Sequence, residues 1–221
     1  MAERRATPDR PGAQEWVPPD ADVDALAAAA PGCRGCELWA PATQVVFGAG
    51  PADARTVLVG EQPGDREDRA GEPFVGPAGR VLHDALGTAG LDPGAVYVTN
   101  AVKHFRFTER GARRLHKSPA VAHVRACHPW LAAELAAVAP RVVVCLGATA
   151  ARSVLGRDVT VGELRGRVLD EHPADAPDAA VLVTVHPSAL LRLRGRQGWD
   201  EAYAAFVADL RTAAGAAGAA A

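Results

Sequence analysis

Val57-Leu58-Val59-Gly60-Glu61-Gln62-Pro63-Gly64-Asp65 holds a strand and its exit within nine residues. The three apolar residues are too few for a helix and read as a buried strand. Gly60 breaks the run into a turn, and Pro63 and Gly64 neither extend a strand nor open a helix cleanly. Glu61 and Asp65 therefore hang off the carboxyl end of a strand, the edge at which open α/β sheets bind ligands. Phe74 follows as an isolated aromatic in the Gly- and Pro-rich stretch 72–79, where a core residue is poorly supported. Carboxylates, a flat ring and exposed backbone in one loop point to a pocket for a planar polar ligand.

The strand signal recurs at Val96–Val98, Val142–Leu146 and Val181–Val185, with helical periods at Gly79–Ala89, Ala120–Ala139, Ala148–Leu155 and Trp199–Ala213. Strands alternating with helices predict a three-layer αβα fold around a four-stranded parallel sheet. Each strand ends on something polar or small: Glu61 and Gln62, Thr99 and Asn100, Gly147, and His186-Pro187-Ser188. Four such ends converge on one crevice, although the architecture alone leaves the reaction open.

At 221 residues and 48% hydrophobic content the chain can bury one full core. Residues 1–20, with five prolines or glycines among charges, read as disordered, residues 21–212 as the single domain, and 213–221 as a flexible Ala/Gly tail. Net charge is −2, which excludes a general polycation. No stretch reads as a membrane span, and Ala25–Ala30 lacks a signal peptide's flanks because Asp20, Asp22 and Asp24 precede it. A cytosolic chain is expected.

The four cysteines come as Cys33-x-x-Cys36, Cys127 and Cys145. Disulfides are disfavoured in the cytosol, which leaves metal ligation or burial. Tetrahedral zinc usually takes two close pairs, and here the second pair is split by 17 residues. A four-thiolate iron–sulfur cluster tolerates such scatter. The plainer alternative makes Cys127 and Cys145 small core residues; the Cys-x-x-Cys spacing favours ligation for the set.

Residues 103–117 carry Lys103, Arg106, Arg110, Arg113, Arg114 and Lys117 against the single carboxylate of Glu109, with His104 and His116 among them. Arg192, Arg194 and Arg196 form a second cluster after His186. Two basic segments on a slightly acidic protein fit a phosphate track beside the crevice, and Phe105 and Phe107 offer stacking surfaces. The bland alternative is a solvated loop. His186 precedes Pro187-Ser188, which suits a helix start, and from there it could donate a hydrogen bond into the crevice.

These residues resemble a known family. Gly60-Glu61-Gln62-Pro63-Gly64 and His186-Pro187-Ser188 look like the two motifs of the uracil-DNA glycosylase superfamily, and the four cysteines resemble the [4Fe–4S] ligands of its family 4 branch. Gly-Glu-Gln-Pro-Gly, Asn100-Ala-Val-Lys103-His104-Phe105 and Arg113-Arg114-Leu115-His116 are most similar to UdgX, the branch that binds uracil-DNA covalently. The resemblance spans about residues 30 to 212. It implies a base-excision-repair enzyme of DNA damage, a monomer acting on uracil in mainly single-stranded DNA and holding a [4Fe–4S] cluster on Cys33, Cys36, Cys127 and Cys145.

It also implies roles. Phe74 would stack on a flipped uracil and Asn100 pair with its polar edge, beside Gln62 and Gly64. His186 would hydrogen-bond the uracil O2, where negative charge grows as the glycosidic bond stretches. Glu61 and Asp65 would face the sugar, and His116 would attack C1′ and remain bonded to it. Lys103, Arg113, Arg114, Lys117 and Ser188 would contact DNA. One departure stands out: the branch usually reads Lys-Arg-Arg-Ile-His where this chain has Ala112-Arg-Arg-Leu-His116 in a shorter loop. Two alternatives remain from the sequence. One is an ordinary hydrolytic family 4 enzyme whose His116 only touches DNA; the other is a non-catalytic iron–sulfur nucleic-acid-binding protein.

Overall fold

The structure, a computed structural model, describes residues 10–218. The opening apolar run becomes β1 (Thr56–Gly60), and β2 (Tyr97–Asn100), β5 (Val142–Leu146) and β7 (Ala180–Thr184) join it in parallel in the order β2-β1-β5-β7. Parallel strands buried on both faces read as continuous apolar runs, and all five residues of β1 and of β5 are buried. Alternate residues serve opposite faces. Val57, Val59, Val143 and Cys145 pack toward α4 (Val121–Val138) and α5 (Ala148–Leu155). Leu58, Val144 and Leu146 pack toward α3 (Pro77–Ala89) and α8 (Trp199–Gly218). The αβα layering expected from the sequence therefore holds.

The expected strand count does not. A fifth strand, β6 (Val168–Leu169), pairs antiparallel with β7 at the sheet edge. Two apolar residues among polar ones carry no periodicity to read. The remaining helices are short: α1 (Val23–Ala29), α2 (Asp65–Ala70), α6 (Val161–Leu164) and α7 (Pro187–Leu191). No described helix is long and apolar enough to cross a membrane.

Both expected chain ends need correction. Within the segment read as disordered, the N–H of Gly12 donates to Gly35 O at 3.0 Å and that of Ala13 to Ala126 O at 2.8 Å, while Arg10 pairs with Glu37. Ala13 is buried in the core cluster that holds Cys33, Cys36 and Cys127. Its proline-rich composition masked three apolar contacts, Ala13, Trp16 and Val17. Residues 1–9 lie outside the described residues. At the other end α8 continues to Gly218 with Ala213 and Ala217 buried, so alanines there serve as helix formers; residues 219–221 are outside the description.

The basic stretch read as a loop is a hairpin. β3 (Phe107–Arg110) and β4 (Arg113–His116) pair antiparallel, with Phe107 opposite His116. Gly111, at φ +61°, opens the two-residue turn, a position that demands a left-handed conformation. An isolated two-stranded hairpin is marginal in water, so its attachments matter. Arg114 donates from Nε to Asp65 Oδ1 and from Nη1 to Asp68 Oδ2, both at 2.6 Å. Its guanidinium also lies 5.0 Å from the ring centre of Phe107 and 5.5 Å from that of Phe105. Read from sequence as a phosphate contact, Arg114 is occupied inside the protein.

Arg114→Ala removes hydrogen bonds to charged partners, which are worth about 1.5–3 kcal/mol each when buried and less at the partly exposed Asp65. Amide exchange across residues 107–116 should then accelerate by about tenfold or more while β1 and β5 stay protected. Unchanged hairpin protection would show that the stacked phenylalanines alone hold it.

Candidate functional site

The order β2-β1-β5-β7 places a switch point between β1 and β5, where open α/β sheets form a ligand crevice. A cavity of about 630 Å³ opens there, reached by Glu61, Phe74, Asn100, His116, Thr149 and His186 from six separate segments. Gly60 and Asn100 are register partners at the ends of β1 and β2. A Cβ on Gly60 would collide with Asn100 Oδ1 and lie 2.7 Å from the Phe74 ring. Only a hydrogen at this position lets the amide and the ring approach together.

Phe74 adopts φ +57°, a strained choice for an aromatic residue. Glu67, almost fully buried, accepts the Gly76 N–H at 2.8 Å and clips the loop that carries the ring. The Phe74 and His186 rings stand 6.3 Å apart at 30°, lining one side of the cavity.

His186 caps α7. Its Nδ1 accepts from Ser188 N–H at 3.2 Å and pairs with Ser188 Oγ at 2.9 Å. With Nδ1 an acceptor, the neutral ring carries its proton on Nε2. Burial pushes its pKa down to about 4, against the attraction of Glu61 and with the help of His116 and Arg192. The residue is thus a neutral hydrogen-bond donor at physiological pH. Ser188, expected at DNA, is the group that sets this tautomer.

On the opposite wall, Glu61 Oε2 accepts from Thr149 Oγ1 at 2.7 Å, and its Oε1 lies 3.6 Å from His116 Nε2. Gln62 Nε2 is 2.9 Å from the same imidazole nitrogen. An amide nitrogen only donates, so His116 Nε2 accepts here, its lone pair directed at the Gln62 amide on the cavity wall. The same amide nitrogen lies 3.2 Å from both Arg106 O and Lys117 O, so its two hydrogens are shared among three acceptors, and Gln62 Oε1 accepts Arg106 N–H at 3.1 Å. Its side chain thus clamps the hairpin segment to the exit of β1. Asp65 is held likewise: burial favours its neutral form, but Arg69 and Arg114 outweigh that and keep its pKa below the usual range. Gly64 stands at the start of α2 on the cavity wall.

Of the residues expected at DNA, Arg113 and Lys117 are exposed on and beside the hairpin, and the exposed Arg192 lines the cavity. Lys103 needs correction. It is 1% exposed, paired with Glu134 and donating to Asn100 O at 2.9 Å, and no phosphate can reach it. Its charge suggested the surface; its partner, 31 residues away, was invisible in the sequence.

The cysteines divide. Cys33, Cys36 and Cys127 share one core cluster; Cys145 sits in another, on β5, where burial alone raises its pKa. Among the described residues no group of three or more side chains is set to bind a single metal ion. A multinuclear cluster spreads its ligands more widely, and the donor chemistry here suits one. Burial pushes Cys127 up to about 12, so its thiolate needs a cationic partner. His104 is buried as well, its pKa lowered to about 4 chiefly by burial, against the attraction of Asp68 and with the help of Arg34, which lies between Cys33 and Cys36. It follows Lys103, whose N–H donates to Cys127 Sγ at 3.3 Å. The Trp130 indole N–H, one turn beyond Cys127, is buried without an acceptor. Three thiols of one core cluster, with the buried His104 imidazole adjoining in sequence the residue that contacts Cys127, have the donor chemistry of an iron–sulfur cluster, whereas Cys145 packs in the other core cluster.

Residues 47–211 match the family described as the Uracil DNA glycosylase superfamily. The chain is 37% identical over 166 residues to a type-4 uracil-DNA glycosylase of Thermotoga maritima, covering 75% of this chain and 81% of the relative. A type-4 uracil-DNA glycosylase of Archaeoglobus fulgidus is 36% identical over 163 residues, 72% of this chain and 78% of its own. One of Pyrobaculum aerophilum is 32% identical over 170 residues, with shares of 75% and 83%.

The His186 assignment is open to direct reading by long-range 1H–15N NMR of the imidazoles. The ring should hold its Nε2–H tautomer from pH 8 down to about 5 and charge only near pH 4. A midpoint close to the ordinary ~6.5 would contradict the buried, capped geometry.

Proposed function

This chain belongs to the uracil-DNA glycosylase superfamily, and from that premise we propose that it excises uracil from DNA and captures the resulting abasic sugar on His116, as in the UdgX branch. The base must leave the stack and enter the cavity, which costs least in single-stranded DNA. Phe74 offers a face for stacking and Asn100 an amide for the base's polar edge. The glycosidic bond breaks with its electron pair going to uracil, and the charge gathers on N1 and O2. His186, neutral with Nε2–H free to donate, stabilises that anion without giving up its proton.

The observation that supports the covalent reading is the position of His116 Nε2 on the cavity wall, 3.6 Å from Glu61 Oε1 and held as an acceptor by the Gln62 amide, a donor it exchanges for C1′ as the bond forms. Nε2 bonds to C1′ as the uracil anion departs, and the ring becomes a cation that Glu61 Oε1, on the same side at 3.6 Å, stabilises. Loss of the Nδ1 proton to solvent leaves a neutral alkylated imidazole, a poor leaving group. Thr149 keeps the other Glu61 oxygen occupied and so fixes the carboxylate. A second reading has support in the type-4 relatives: water, oriented by Glu61, takes the sugar, and His116 only borders it.

The same proposal assigns a [4Fe–4S] cluster to Cys33, Cys36, Cys127 and His104, where it serves structure by tying the N-terminal segment to α4. Arg113, Lys117 and Arg192 would track the phosphates.

A denaturing gel with uracil-containing single-stranded DNA separates the readings. The wild-type protein should give a shifted, denaturant-resistant band, and His116→Ser should give none while yielding alkali-labile abasic sites. Turnover by the wild type without a shifted band would favour the hydrolytic reading, and an adduct surviving in His116→Ser would identify another nucleophile.

Iron content tests the ligand set. Anaerobically purified Cys145→Ala should keep the broad visible absorbance of thiolate-bound iron, and His104→Ala should lose or alter it. The reverse pattern would restore the four-cysteine set.

A further inference from the structure

The most deeply buried ion pair among the described residues lies beneath the cavity, outside its wall. Lys103 and Glu134 are 1% and 0% exposed. Every Lys103 ammonium proton has an acceptor: Glu134, Thr99 Oγ1 at 2.6 Å and Asn100 O at 2.9 Å. Glu134 in turn accepts from Tyr97 O–H at 2.9 Å and Thr99 Oγ1 at 2.8 Å. The network has no loose ends, and it encloses the last turn of β2 from below.

Stability alone gives little reason for it. Well-packed apolar residues of similar size commonly replace a buried ion pair with no loss, because desolvation cancels most of the attraction. What an apolar pair cannot do is hold a carbonyl in one direction. The carbonyl held here belongs to Asn100. From above, the same segment is pinned by Ala101 N–H on Gly60 O at 2.9 Å and Val102 N–H on Glu61 O at 3.1 Å. Lys103's own N–H on Cys127 Sγ fixes its far end.

We propose that Lys103 and Glu134 are positioning residues for base recognition, holding the Asn100 backbone so that its amide meets uracil in one orientation. The inference rests on the reading of Asn100 as the uracil contact. Uracil presents O4 as acceptor beside N3–H as donor, and cytosine presents the reverse order. An amide free to turn could serve either base; one whose backbone is clamped, with Oδ1 against Gly60, serves one. Rejection then follows from polar groups left unpaired.

The test replaces both charges at once, in Lys103→Met/Glu134→Leu, and follows uracil release from single-stranded DNA under single-turnover conditions. The variant should fold and keep its iron, with Tm below that of the wild type because the buried Tyr97 and Thr99 hydroxyls lose their acceptor. Its release rate constant should fall by about 10- to 100-fold, as misplacement of a contact by about an ångström does, with the half-saturating DNA concentration unchanged. Added to Asn100→Ala, the double change should cost nothing further, since both act through one amide. Because a lowered Tm could itself slow release, Lys103→Met/Glu134→Gln, which keeps an acceptor for both hydroxyls, must show the same non-additive loss. Wild-type release, or a loss that multiplies with that of Asn100→Ala, would overturn the inference and leave the Asn100 reading standing. Undiminished release by Asn100→Ala itself would end both.

Discussion

Two parallel strands end at the same level, and the residue on one of them has no side chain. Gly60 and Asn100 are register partners, and the space that a Cβ would take at Gly60 is filled by the Asn100 amide and the edge of Phe74. Everything chemical in the molecule is arranged around that approach. The strand order brings the β5 and β7 exits alongside, so Thr149 and His186 enter the same cavity from the helices that follow them. Parallel pairing, a consequence of long apolar runs separated by helices, is thus what gives one crevice several functional side chains.

Each of those side chains is held by a partner that performs no chemistry. Ser188 sets the tautomer of His186, Thr149 holds one oxygen of Glu61, Glu67 clips the strained loop of Phe74, and Arg114 fastens the hairpin that carries His116. Rigid placement of a donor where charge will develop is the largest lever available to a site of this kind. A neutral His186 suits that role, because an imidazolium would also bind solvent anions and would need a proton from bulk each time it lost one.

Much of this was legible in the sequence. Apolar runs located four strands correctly because buried parallel strands contain little else, and Gly and Pro marked their exits. Glu61, Asn100 and His186 were legible as polar residues at strand ends and Phe74 as a lone aromatic in a Gly- and Pro-rich loop, while His116 was singled out only through the family resemblance; all five line the one cavity. What escaped reading depended on partners far away in the chain. Lys103 resembled its basic neighbours until Glu134 was seen beside it. The hairpin hid behind its arginines, whose charges obscure a two-residue alternation. Cys145 shares its residue type with Cys33, Cys36 and Cys127 but lies inside the sheet, in a different core cluster, a separation that spacing alone does not reveal.

The central claim is a bond between His116 and the sugar. Cleavage after Arg114 and Lys117 would release Leu115-His116-Lys117 as a short fragment. After reaction with uracil-containing DNA, exhaustive nuclease digestion and proteolysis, mass spectrometry should find this tripeptide carrying one abasic deoxyribose residue, with fragment ions that place the added mass on the histidine. The unmodified tripeptide in full yield, or the sugar on any other peptide, would contradict the account.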